Sequence, residues 1–214
     1  MKNTAVLEMI NNGEIEQLKA LLMDEIYADS LKNNGNAKTR YAAMKRYFKF
    51  NNDMRNAFNY PCKDIAIDGK LYNSFVDGYC FVLTTESVDT LETWDKSKGD
   101  YMDISKVINF SNVQSVEEID FNSVLAEAKT KGYKYKKSEI DNKDFQYAFK
   151  YKDAYYKIGL LDKAFSIIND DRPAETHYTG RLGILYIKTS IGIAGVLPFK
   201  PMEDIENVKT IIEV

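Results

Sequence analysis

The chain has 214 residues, 44% of them hydrophobic and 29% charged, a composition that excludes intrinsic disorder and suits one domain with an appendage or two small domains. A formal net charge of −3 gives no global signal for nucleic acid. The two cysteines, Cys62 and Cys80, are too few for a disulfide framework and do not form a metal-ligand spacing.

Charge is unevenly spread. From Lys38 to Arg55 there are six basic residues against one acid, from Glu86 to Asp120 nine acids against three lysines, and from Lys129 to Lys157 nine lysines against four acids. Such alternation predicts one basic and one acidic face, or ordinary surface heterogeneity. The longest uncharged apolar run, Ile191 to Phe199, is half the length of a bilayer span. Met1-Lys2-Asn3-Thr4 is not a basic start followed by an apolar stretch. A soluble cytoplasmic protein with no membrane partner is the expectation.

Residues 1–33 read as a helical extension. Thr4 caps a first segment that ends at Asn12-Gly13, and Ile15, Leu18, Leu21, Leu22, Ile26 and Tyr27 recur at helical spacing in a second. Burial of that stripe, against the rest of the chain or a partner, would contribute roughly 1.5–3 kcal/mol per large side chain. Lys32-Asn33-Asn34-Gly35-Asn36 marks a boundary. The next helix, expected from Lys38 to Phe50, sets Tyr41, Met44 and Phe48 on one side, with Lys38, Lys45, Arg46 and Lys49 on the adjoining arc. Its basic side can lie along a phosphate backbone or can be a solvated face.

Strands follow, with Asp68-Gly69 as a hairpin signal and Asp77-Gly78 as a second turn or bulge before the buried run Tyr79 to Leu83. The acidic stretch from Glu86 to Asp103 reads as a loop held down by Trp94. Ser115-Val116-Glu117-Glu118 has the form of a capping box, opening a helix there or near Asn122 that stops at Gly132. The run from Lys129 to Lys137 interleaves lysines with Tyr133 and Tyr135. That pattern suits a single-stranded nucleic acid, with Lys134, Lys136 and Lys137 on phosphates and the rings on bases. It suits equally an edge strand guarded by lysines, which is the preferred account.

Residues Phe145 to Ile158 alternate as a hairpin turning at Lys152-Asp153. A helix from Leu160 to Ile168 has a broad apolar arc, with Asp162, Lys163, Ser166 and Asn169 assigned to the exposed side. Strands from Arg181 to Lys188 and from Ile191 to Phe199 come next. A tail over residues 202–214 ends in the strand-like Ile211-Ile212-Glu213-Val214. His177, the only histidine, has no nucleophile pairing nearby, and the chain carries no phosphate-binding glycine loop. No enzyme activity, cofactor or metal is expected.

A helix followed by a hairpin thus occurs twice. Tyr156-Lys157-Ile158-Gly159, Leu161-Asp162-Lys163-Ala164-Phe165, Leu182 to Ile187 and Val196-Leu197-Pro198-Phe199-Lys200 together resemble a domain of the bacterial sliding clamp, the beta subunit of the replicative polymerase. Arg40 to Phe50, Gly69-Lys70-Leu71-Tyr72 and Thr84 look like the opening half of such a domain. Asp77-Gly78-Tyr79 is similar to a tripeptide in single-domain relatives from phage-like or mobile elements.

The resemblance covers about residues 38–200. It implies an α+β fold: a DNA-clamp-like domain of two helix-plus-antiparallel-strand repeats at 38–201, behind the helical N-terminal extension. It further implies duplex DNA and a polymerase or other replication protein as partners. In the family six such domains make a ring, so encirclement of DNA would need a hexamer of this chain or other partners. Lys38, Lys45, Arg46 and Lys49 carry over as DNA-facing. The alternative function is a protein-interaction module that keeps the fold without encircling DNA.

Overall fold

The computed structural model describes residues 2–32, 34–48, 56–102, 104–136, 146–199 and 208–213. Over these the protein is α+β. Two short helices, α1 (Lys2–Asn11) and α2 (Ile15–Ser30), precede α3 (Gly35–Arg46). The third helix starts earlier than its apolar spacing suggests because the Asn-rich turn is itself the cap. The Asn34 side chain accepts a hydrogen bond from the Ala37 N–H at 3.1 Å.

Turn chemistry then builds the first meander. Strands β1 (Cys62–Ile67) and β2 (Lys70–Val76) are joined by Asp68-Gly69, both at positive φ as a tight hairpin turn requires. Between β2 and β3 (Cys80–Thr84), the Asp77 carboxylate accepts from the N–H groups of Tyr79 and Cys80 at 2.9 and 2.8 Å, and Gly78 takes φ 88°. A second meander, β7 (Ala174–Tyr178), β8 (Leu185–Lys188) and β9 (Gly192–Val196), follows α5 (Ile158–Ile168). The meanders meet where β3 pairs antiparallel with β9. Gly195 lies opposite Phe81 in that register, and a Cβ there would come within 2.2 Å of the ring.

With β4 (Ser115–Ile119) beyond β7, the large sheet has the order β1-β2-β3-β9-β8-β7-β4. A smaller sheet holds β5 (Tyr147–Tyr151) and β6 (Ala154–Lys157), turning at Lys152-Asp153 as expected, with β10 (Thr210–Glu213) parallel to β5.

Helix α5 lies over β3 and β9 and packs on α3. Phe165, Leu161, Ile158, Phe149, Phe121 and Phe75 fill the main core around it. The other face of the large sheet is covered too. Ile104 is buried there in a second cluster with Phe58, Val76, Phe81, Leu83 and Tyr186. Because apolar groups line both faces, β3 is buried at every position and gives no alternating pattern. The acidic loop is tied down by Trp94, whose backbone N–H donates to the Pro61 carbonyl at 2.8 Å and whose indole N–H donates to the Gly99 carbonyl at 3.0 Å.

Three expectations are corrected. Ser115 to Glu118 is strand, not a capping box. Val116 is exposed and Ile119 buried in the register of β7, and the helix that follows, α4 (Phe121–Thr130), is capped by the Asp120 carboxylate. Residues 131–136 form no edge strand. Gly132 at φ 98° ends α4, with the Tyr133 N–H on the Ala128 carbonyl, and the chain then leads Tyr133 into the core. Asp162 and Lys163 are 4% and 3% exposed, not solvated, because the Tyr133 segment and the Asp77 turn cover their side of α5.

Candidate nucleic-acid interface

Helix α3 packs with Ala37, Arg40, Tyr41, Ala43 and Met44 inward. Lys38, Ala42 and Lys45 are exposed at i, i+4 and i+7 and make a single outward stripe. Seven residues at 1.5 Å each set the two lysines about 10 Å apart along the axis. Lys49 and Lys137 lie outside the described residues. Arg40 belongs to the interior: its Nε donates to Glu86 at 2.8 Å and an Nη donates to the Asn169 carbonyl at 3.0 Å, clamping α3 to the end of α5.

Arg46 turns sideways off α3. Its guanidinium donates to Ser166 Oγ at 3.1 Å, sits 3.5 Å from an Asp162 oxygen, and lies over the Tyr135 ring at 4.4 Å. Tyr135 stands between Lys134 and Lys136, both exposed. The stacking therefore sets the segment after α4 beside the end of α3, with Arg46 between them; the charge of Arg46 is partly answered by Asp162. Lys38 stands at the opposite end of the stripe.

An acid from the N-terminal extension reaches onto the same surface. Asp24 of α2 pairs with Lys45 at 2.5 Å and accepts a short hydrogen bond from the Tyr41 hydroxyl, while the Tyr27 ring meets the Tyr41 ring edge-on at 4.8 Å. Partial burial, reinforced by the Asp24 carboxylate, pushes the Tyr41 phenol up to about 12. No residue of α2 is buried. Ile15, Leu21, Leu22, Met23 and Ile26 are all exposed, Ile26 at 66%, so the expected apolar stripe faces water in the single chain.

The second helix offers nothing to a ligand. All of α5 is buried except Ser166, which is half-buried. Beneath it Lys163 pairs with Asp77 and stands 4.3 Å from the centre of the Tyr47 ring, and the Tyr47 hydroxyl donates to the Cys80 carbonyl at 3.2 Å. Burial, and then the Asp77 charge, pushes the Cys80 thiol far above its ordinary range, which makes it an inert core group. Spacing alone missed this ion pair, because Lys163 falls beside the polar residues of the helix and not in its apolar arc.

His177 sits on the far side of the large sheet, hydrogen-bonded to Glu175 and packed against the Phe110 ring. Among the described residues no group of three or more His, Cys, Asp or Glu side chains can hold a metal ion, and no helix is long and apolar enough to cross a membrane. No family model, curated protein or solved structure matches the chain.

Proposed function

We propose that the chain is a non-enzymatic, clamp-like accessory protein that associates with duplex DNA and acts beside a polymerase or other replication protein. One observation carries this reading. A helix followed by a three-stranded antiparallel meander occurs twice, α3 with β1–β3 and α5 with β7–β9. The two helices pack on each other, and the meanders join edge to edge at β3 and β9. Such a pair of units supports the two-unit domain that the sequence resemblance implies, and the outward stripe of α3 with Lys134 and Lys136 is its proposed DNA-facing surface. Encirclement would take several copies, since one chain supplies about one such domain; light scattering at increasing concentration tests that, and a strict monomer rules out a ring.

Duplex binding is tested by anisotropy on a fluorescent DNA across a salt series. Four phosphate contacts, from Lys38, Lys45, Lys134 and Lys136, give a log–log slope near about −3.6, at roughly −0.9 per contact. Lys45→Glu with Lys134→Glu weakens binding on all sequences alike and flattens the slope. No binding by the wild type at low salt sinks the proposal.

The second reading, a protein-interaction module, is favoured by the exposed apolar side chains of α1 and α2, from Leu7 and Ile10 through Ile26. Under it, deletion of residues 1–33 abolishes capture of a protein partner while circular dichroism of the core stays unchanged.

A further inference from the structure

Helix α2 is held to α3 in an unusual way for an amphipathic helix. Most of its apolar stripe stays exposed. Among the described residues Asp24 and, of the stripe, Tyr27 meet α3 at Lys45 and Tyr41, and Tyr41 is held in turn by Thr90. The Lys45 side chain is 45% exposed and that of Asp24 is 26% exposed, so the pair is screened by salt and weak by the standard of buried pairs. Residues 1–33 carry six acids and three lysines. An acidic arm therefore lies across the cationic stripe and covers one of its two described lysines.

We propose that α2 is a displaceable cover over α3, in which the Asp24 carboxylate occupies the place of a phosphate at Lys45 until a polyanion takes it. This rests on the DNA reading above and deepens it. The arm competes with DNA for one lysine and leaves Lys38, Lys134 and Lys136 open, so it lowers affinity without abolishing binding. Displacement also frees the Tyr41 hydroxyl from Asp24 and its ring from Tyr27.

The test uses the full-length chain and a mixed-sequence 30-base-pair duplex at low salt. Asp24→Asn keeps the shape of the side chain and removes its charge. The expected result is duplex affinity about two- to five-fold tighter than wild type, the range set by loss of one exposed ion pair, with a larger gain on deletion of residues 1–33. Amide hydrogen exchange is expected to rise in α2 when duplex is added to the wild type, and to stay constant in α5. Equal affinity of Asp24→Asn and wild type, or no rise in α2 exchange, overturns the cover and leaves DNA binding standing. Absence of binding by both proteins overturns the DNA reading, and the cover with it.

Discussion

Helices α3 and α5 each open a three-stranded meander and lie against each other, yet their surroundings differ sharply. The later helix is enclosed on every side, by β3 and β9 below, α3 beside it, and α4 with Tyr133 above. The earlier one is pinned by Arg40 at one edge and keeps a polar stripe outside. Similar placement has therefore not produced similar surroundings. One helix is part of the core that holds the molecule together, and the other keeps an exposed stripe of side chains.

That contrast predicts a graded series of effects. Lys163→Met leaves the Asp77 carboxylate buried without its cation, which costs about 3–5 kcal/mol. The double variant Lys163→Met with Asp77→Asn recovers much of it. Urea unfolding measures both, and a loss under about 1 kcal/mol for the single variant would mean that α5 is not the enclosed element.

Arg40→Met comes next, at about 1–3 kcal/mol, because the Asn169 carbonyl loses its donor and Glu86 its partner. The Asp170 carboxylate follows α5 and accepts from Ser190 at 2.8 Å and from Arg172 at 2.6 Å. Partial burial works against its ionised form, but these donors outweigh it and hold the group down to about 2. A depressed carboxylate contributes stability that is present above its unfolded value, near 3.8, and is lost as pH falls toward about 2. Asp170→Asn should flatten the stability profile in that window alone, seen as Tm against pH. The smallest effect belongs to the extension: Ile26→Ser should shift stability by no more than about 0.5 kcal/mol, and a larger loss would mean that α2 is bound by packing after all.

Much of the layout could be read from the chain. Asp68-Gly69, Lys152-Asp153 and the alternation from Phe145 to Ile158 mark their hairpins because turns impose residue types locally. What escaped depended on distant neighbours. Asp162 and Lys163 look solvated on a helical wheel, and only the return of Tyr133 and the Asp77 turn encloses them. Ser115 to Glu118 imitates a cap, and only the register with β7 makes it strand. The α2 stripe predicts burial but names no partner, and among the described residues no residue of α2 is buried. Of the candidate site, Lys38, Lys45, Lys134 and Lys136 are where an outward cation belongs. The stacking of Arg46 on Tyr135, which sets the segment after α4 beside the end of α3, has no local signature.

The parallel strand β10 has a consequence for how the molecule is made. Its Glu213 reaches Lys150 across 63 residues, so the small sheet keeps a raw edge beside β5 until residues 210–213 have been synthesised. Closing so long a loop is slow compared with zipping a local hairpin. During translation the β5–β6 hairpin waits, half-dressed, for β10, and over that interval the bare side of β5 is open to pairing with another chain.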